Sequence, residues 1–144
     1  MSRIFKRVFL LLLVCAAGIY AHAEDNGASG STFNWNPVMD AIIQVESEGN
    51  PKAVSGNSCG AMQITPIMVK ECNSILKKRK SKKRYSLADR FNIKKSREMF
   101  LLFQSFHNPK NSIEQAIRSW NGGMRYSIRG TQRYYNKVME LLKM

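Results

Sequence analysis

Asn36-Pro37-Val38-Met39-Asp40-Ala41-Ile42-Ile43-Gln44-Val45-Glu46-Ser47-Glu48-Gly49-Asn50-Pro51 is the stretch that decides the fold. Val38, Ala41, Ile42 and Val45 recur at helical spacing, and Met39 and Ile43 widen the apolar face. Asn36 before Pro37 fits an N-cap followed by proline at the first helical position. Gly49-Asn50-Pro51 stops the helix. Glu46 lies four residues after Ile42 and three after Ile43, so its carboxylate projects over the apolar face. A carboxyl group against an apolar wall stays protonated near neutral pH, and general-acid cleavage of a glycosidic bond needs such a group. Taken alone, Glu46 also fits a solvated helix-end carboxylate. The next segment narrows the choice: nine residues beyond Pro51, Gly60-Ala61-Met62-Gln63-Ile64 can fold back beside the helix end.

Outward from this stretch the pattern stays helical. Residues 52–60 read as a turn-rich loop. A short helix over Ile64–Cys72 comes after it, capped by Thr65 and started by Pro66. Ser86 is placed to cap a short turn, and Asn92 a long helix reaching Phe106. That helix is apolar nearly all round (Ile93, Met99, Phe100, Leu101, Phe103, Phe106), which predicts a buried centre. Ile113, Ala116, Ile117 and Trp120 mark another helix, closed by Asn121-Gly122-Gly123. A last helix from Thr131 carries Tyr134, Val138 and Leu141 on one side. No internal repeat and no strand is evident. The fold class is all-α, five or six helices around a central buried one.

Arg3, Lys6 and Arg7 precede an apolar run from Val8, and Ala21-His22-Ala23 gives a small-x-small cleavage site before Glu24. Residues 1–23 therefore read as a secretory signal. An uncleaved anchor is the alternative, although the run of about 14 residues is short against the roughly 20 that span a bilayer. Residues 24–34 are small and polar, a flexible lead-in to a domain over 35–144. Cleavage removes three of the 23 Lys and Arg and leaves 20 against 10 Asp and Glu. An exported chain so basic meets an anionic surface such as cell wall, lipopolysaccharide or nucleic acid. Seven of the eight residues from Lys77 to Arg84 are basic. This run is either a solvated loop or a contact for anionic wall polymer and peptide-stem carboxylates. Nucleic acid is disfavoured, because no aromatic residue interleaves the run. Cys59 and Cys72 remain after cleavage. In an oxidising compartment they read as one disulfide closing a loop of about 14 residues, for which roughly 3 kcal/mol is expected, with two free thiols as the alternative. His107 stands without partners that would make a zinc ligand set, and no cofactor is implied.

Glu46-Ser47, Gly60-Ala61-Met62-Gln63 and Trp120-Asn121-Gly122-Gly123 stand in this order along the chain. In that order and at similar spacing they resemble the Glu-Ser, Gly-Leu-Met-Gln and Ala-Tyr-Asn-x-Gly motifs of soluble lytic transglycosylases. These are relatives of goose-type lysozyme that cut bacterial peptidoglycan. Asn92-Ile93 and Tyr134 with Lys137-Val138 match two further family positions, so the resemblance runs from Val38 to Leu142. It implies a lysozyme-like fold with a groove for glycan strands and Glu46 as the single catalytic acid. Glu46 would protonate the oxygen between N-acetylmuramic acid and N-acetylglucosamine. It would then take the proton of the muramoyl 6-hydroxyl as that group closes to a 1,6-anhydro end.

The resemblance also assigns Ser47 to the substrate side and Ser55 to the muramoyl substituent, with a plain turn residue as the other reading of Ser55. Gly60 lets backbone approach the groove, and Gln63 and Met62 line it, unless Met62 is a core residue. Asn121 ties the helix end to the cleft wall. Tyr134 bonds near the acid or merely covers the core. Trp120 replaces the family tyrosine whose hydroxyl touches the carboxylate; an indole donates one bond and accepts none. Ala61 replaces leucine. Ordinary two-carboxylate glycosidases need a partner acid within about 5–10 Å. Glu48 points away, and Asp89, Glu98 and Glu114 stay open. The rivals are a hydrolysing muramidase on the same fold and an inactive wall-binding protein. Compact relatives accompany secretion, conjugation or phage machinery. The resemblance places the protein in the periplasm or cell envelope.

Overall fold

The computed structural model describes residues 32–144. The signal sequence and most of the lead-in read from the sequence lie outside them. Helix α1 (Asn36–Ser47) is followed by a hairpin of two-residue strands, β1 (Val54–Ser55) and β2 (Ser58–Cys59). Then come α2 (Pro66–Lys78), a 3-10 turn (Leu87–Phe91), α3 (Ile93–His107), α4 (Ile113–Gly122) and α5 (Ile128–Leu142). The all-α expectation holds. The hairpin sits inside the stretch read as loop, too short to leave an alternating pattern. Among the described residues no helix is long and apolar enough to cross a membrane.

Helix starts obey side-chain chemistry. Thr65 Oγ1, Asn92 Oδ1 and Ser112 Oγ each accept from the backbone N–H three residues on. Ser86 and Asp89 form a reciprocal capping box on the 3-10 turn. The first helix departs from expectation: its N-cap is Trp35, and Asn36 is already helical. The Trp35 ring is buried against Phe100, centroids 5.6 Å apart, and this anchor brings its carbonyl to accept from Met39 N–H. Helix α2 runs six residues past Cys72, because Ile75 and Leu76 continue its buried face into the basic run.

Helices α4 and α5 pack together, α1 lies on α5, and α2 lies on α3. Ile42, Met62, Met99, Phe100, Ile117 and Val138 fill the centre, each fully buried. At about 25 cal/mol per Å² such residues carry most of the folding drive. Arg118 locks α4 to α5. Its guanidinium donates to Glu114, the Ile128 carbonyl, Thr131 and Gln132, and it lies 4.2 Å from the Tyr135 ring centroid.

Helix α3 is one-sided rather than buried all round. Met99, Phe100 and Phe103 face inward, whereas Leu101 and Phe106 stay exposed. Lys78 lies 4.9 Å from the Phe106 ring, so part of the basic run packs over that outer face. Lys83 pairs with Glu98, and Arg84 donates to the carbonyls of Ser81 and Lys83. The cysteine pair is corrected too: Cys59 and Cys72 are both free and buried. The Cys72 thiol points into α3 and donates to the Met99 carbonyl, 3.6 Å away. Burial, helped by Glu71, pushes it up to about 12, which keeps it a neutral thiol.

Candidate active site

The end of α1 delivers Glu46 toward α5, where the Tyr134 hydroxyl donates to Glu46 Oε1 at 2.7 Å. The two residues are 88 positions apart, so the contact depends on α1 lying on α5. Burial raises the Glu46 carboxyl above its ordinary 4.5, and the Tyr134 hydrogen bond lowers it by less. Burial and the nearby carboxylate raise Tyr134 as well, so it remains a donor. Glu46 opens into a hollow of about 330 Å³ lined also by Val45, Asn121, Tyr134, Arg133 and Lys137. Asn121 borders a second, more apolar hollow of about 430 Å³, where Trp120, Met68, Ile67 and Met124 provide the walls. The two hollows share Asn121 as a lining residue; the first is bordered by the polar side chains of α5 and the second mainly by apolar side chains of α2 and α4.

The segment 60–63 stands behind these hollows rather than in them. Met62 is 0 % exposed, which corrects its assignment to the cleft: its side chain is core. Its carbonyl accepts from Trp120 Nε1 at 3.1 Å. Trp120 therefore spends its one donor on bracing the segment, and the hydroxyl at Glu46 is that of Tyr134. Gly60, at φ +80°, is needed for close approach to Arg90, not to the groove: a Cβ there would lie 1.8 Å from the Arg90 carbonyl oxygen. Gln63 Nε2 donates to the carbonyls of Gly60 (2.9 Å) and Ala53 (3.3 Å), fixing the segment from within. Ser47 Oγ spends its proton on the Ala61 carbonyl at 2.8 Å, tying α1 to the same segment. Ser55 is exposed on the hairpin and lines neither hollow.

Most other acids are committed elsewhere. Asp89, Glu98 and Glu114 are paired with Lys95, Lys83 and Arg118, and Asp40 with Arg97. Glu71 lines the apolar hollow, held 2.7 Å from His107 Nε2. It is a cleft carboxylate that the sequence motifs do not mark. Arg133 and Lys137 were also missed as cleft residues, although their spacing beside Tyr134 on one helix was a readable signal. Among the described residues no group of three His, Cys, Asp or Glu side chains is placed to hold a metal ion.

The family model for the transglycosylase SLT domain matches residues 27–141. The chain belongs to this family. Membership brings peptidoglycan lytic transglycosylase activity in general and peptidoglycan as the substrate. No curated protein and no solved structure matches the chain. The SLT domain here thus combines a recessed glutamic acid, a tyrosine donor and two hollows of different polarity that share Asn121.

Proposed function

We propose that this SLT domain cleaves the bond between N-acetylmuramic acid and N-acetylglucosamine, with Glu46 as its only acid/base. The observation that carries the reading is the Glu46 carboxyl itself, raised by burial, held by Tyr134 and open to the hollow at Asn121. A carboxyl whose pKa burial raises keeps its proton to higher pH than an ordinary glutamate, which suits a general acid. It gives its proton to the glycosidic oxygen as the bond to muramoyl C1 breaks, and the N-acetylglucosamine end leaves as an alcohol. The carboxylate then takes the proton of the muramoyl 6-hydroxyl while that oxygen closes on C1. The acid is regenerated, no water is consumed, and a 1,6-anhydro end forms. Among the described residues Glu46 is the one carboxylate lining its hollow, and Glu71 of the second hollow is held by His107, which favours this route over hydrolysis by an acid pair.

The reading extends to export. Peptidoglycan lies outside the inner membrane, and residues 1–23 carry the pattern of a cleavable signal. The protein is accordingly a periplasmic or envelope enzyme whose mature chain starts at Glu24. Glu46→Gln tests the acid. It keeps the Tyr134 contact but cannot transfer a proton, so release of fragments from purified sacculi should fall by at least about a thousandfold. A variant retaining a tenth of wild-type turnover would end the assignment.

A further inference from the structure

Arg133 and Lys137 stand four residues apart on α5, on the stripe next to Tyr134, and both line the hollow containing Glu46. Both residues are exposed. Lys83, Lys95, Arg97 and Arg118 each hold a carboxylate, whereas neither Arg133 nor Lys137 is ion-paired among the described residues. Nor are they used to tune the acid, since the groups that set Glu46 are its burial and Tyr134. No residue of the basic run 77–84 lines this hollow.

Two uncommitted cations at the mouth of a glycan-cleaving site are matched by an anionic group on the substrate. The sugars and the scissile linkage carry no charge. The carboxylates of peptidoglycan sit on the peptide stem, which hangs from the lactyl ether of the muramoyl residue. We propose that Arg133 and Lys137 form a carboxylate-binding subsite for the peptide stem, making the enzyme selective for glycan whose stem carboxylates are free over glycan in which they are masked. This rests on the reading of the Glu46 hollow as the place of cleavage. The guanidinium offers a planar fork for a carboxylate, and the ammonium one turn along adds a mobile point charge. The second, apolar hollow, which shares Asn121, supplies no cation.

The test compares glycan strands whose stem carboxylates are free with the same strands after those carboxylates are masked as neutral methyl esters; amidase stripping would instead leave a charged lactyl carboxylate on each muramoyl residue. Wild type should favour the strands with free stem carboxylates about tenfold in kcat/KM, as expected for two partly exposed charge contacts. Arg133→Gln with Lys137→Gln should erase most of that ratio, chiefly through KM. The charge-preserving pair Arg133→Lys with Lys137→Arg should keep most of it. Equal cleavage of both substrates by wild type, or a ratio untouched by the glutamine pair, overturns the subsite while leaving Glu46 in place. Cleavage of neither substrate overturns the site reading instead. Calorimetric binding to Glu46→Gln then decides the subsite by itself: tetrasaccharide with free stem carboxylates must bind about tenfold more tightly than its methyl-ester form, and equal affinity sinks it.

Discussion

Replacing Tyr134 by phenylalanine removes one oxygen atom, and with it the 2.7 Å hydrogen bond to Glu46 Oε1. In the proposed cleavage step Glu46 gives up its proton, and negative charge builds on a carboxylate already disfavoured by burial. Among the described residues the Tyr134 hydroxyl is the one side-chain donor that counters this. Hydrogen bonds to charged groups contribute about 1.5–3 kcal/mol, and each 1.36 kcal/mol is tenfold in rate. Because the site opens to solvent, the lower half of that range applies, and kcat should fall by about 10- to 50-fold with KM little changed. The pH profile gives a second readout. Tyr134 lowers the Glu46 pKa, so its loss raises that pKa further, and the alkaline limb of kcat should move to higher pH. Initial rates on purified sacculi across pH measure both quantities, with a melting curve verifying that the variant folds. Activity within twofold of wild type and an unmoved alkaline limb would refute the reasoning and reduce Tyr134 to packing.

Gly60→Ala should destabilise by about 3–5 kcal/mol, because its Cβ meets backbone at 1.8 Å, whereas Gly56→Ala, also at positive φ but in open space, should cost about 1 kcal/mol. Urea unfolding of the two variants separates a clash from mere backbone strain. Trp120→Phe keeps a ring near Phe100 but leaves the buried Met62 carbonyl without its indole donor, so stability should drop by about 1–2 kcal/mol in the same assay. Glu46→Gln should melt a few degrees above wild type at pH 8 and level with it at pH 4. The sign comes from a folded-state pKa raised above 4.5: wild-type stability is full below that value and declines as pH rises through the folded pKa, while glutamine has no charge to bury.

Much of this arrangement was legible in the sequence. Helical spacing located α1, and cap chemistry at Thr65, Ser86 and Asn92 located the next starts, because these signals act within one or two turns of chain. The placement of Glu46 on an apolar face came from the same local geometry. Long-range partners were not legible. Motif order said that Met62 and Gly60 belong near Glu46, but only the packing of α4 and of the 3-10 turn turns one inward and presses the other on Arg90. Trp120 and Tyr134 illustrate the limit: the substitution of Trp120 for tyrosine was visible and Tyr134 was readable either as a partner of the acid or as core cover, but only the packing of α5 on α1 decides between them. The cysteine spacing suited a disulfide, yet the buried face of α2 aims Cys72 at α3. Compositional reading left the run 77–84 as a solvated loop or an anion contact, and its Lys78, Lys83 and Arg84 are engaged in local packing and pairing. The cleft cations sit on α5, where no charge run marks them.

If one carboxyl, acting as acid and then base, closes the muramoyl 6-hydroxyl onto C1, no water enters the product. Digestion of sacculi in oxygen-18 water followed by mass spectrometry tests this most directly. The predicted product carries no label and is lighter by one water than a hydrolysed muropeptide. Labelled reducing ends as the main product would contradict it.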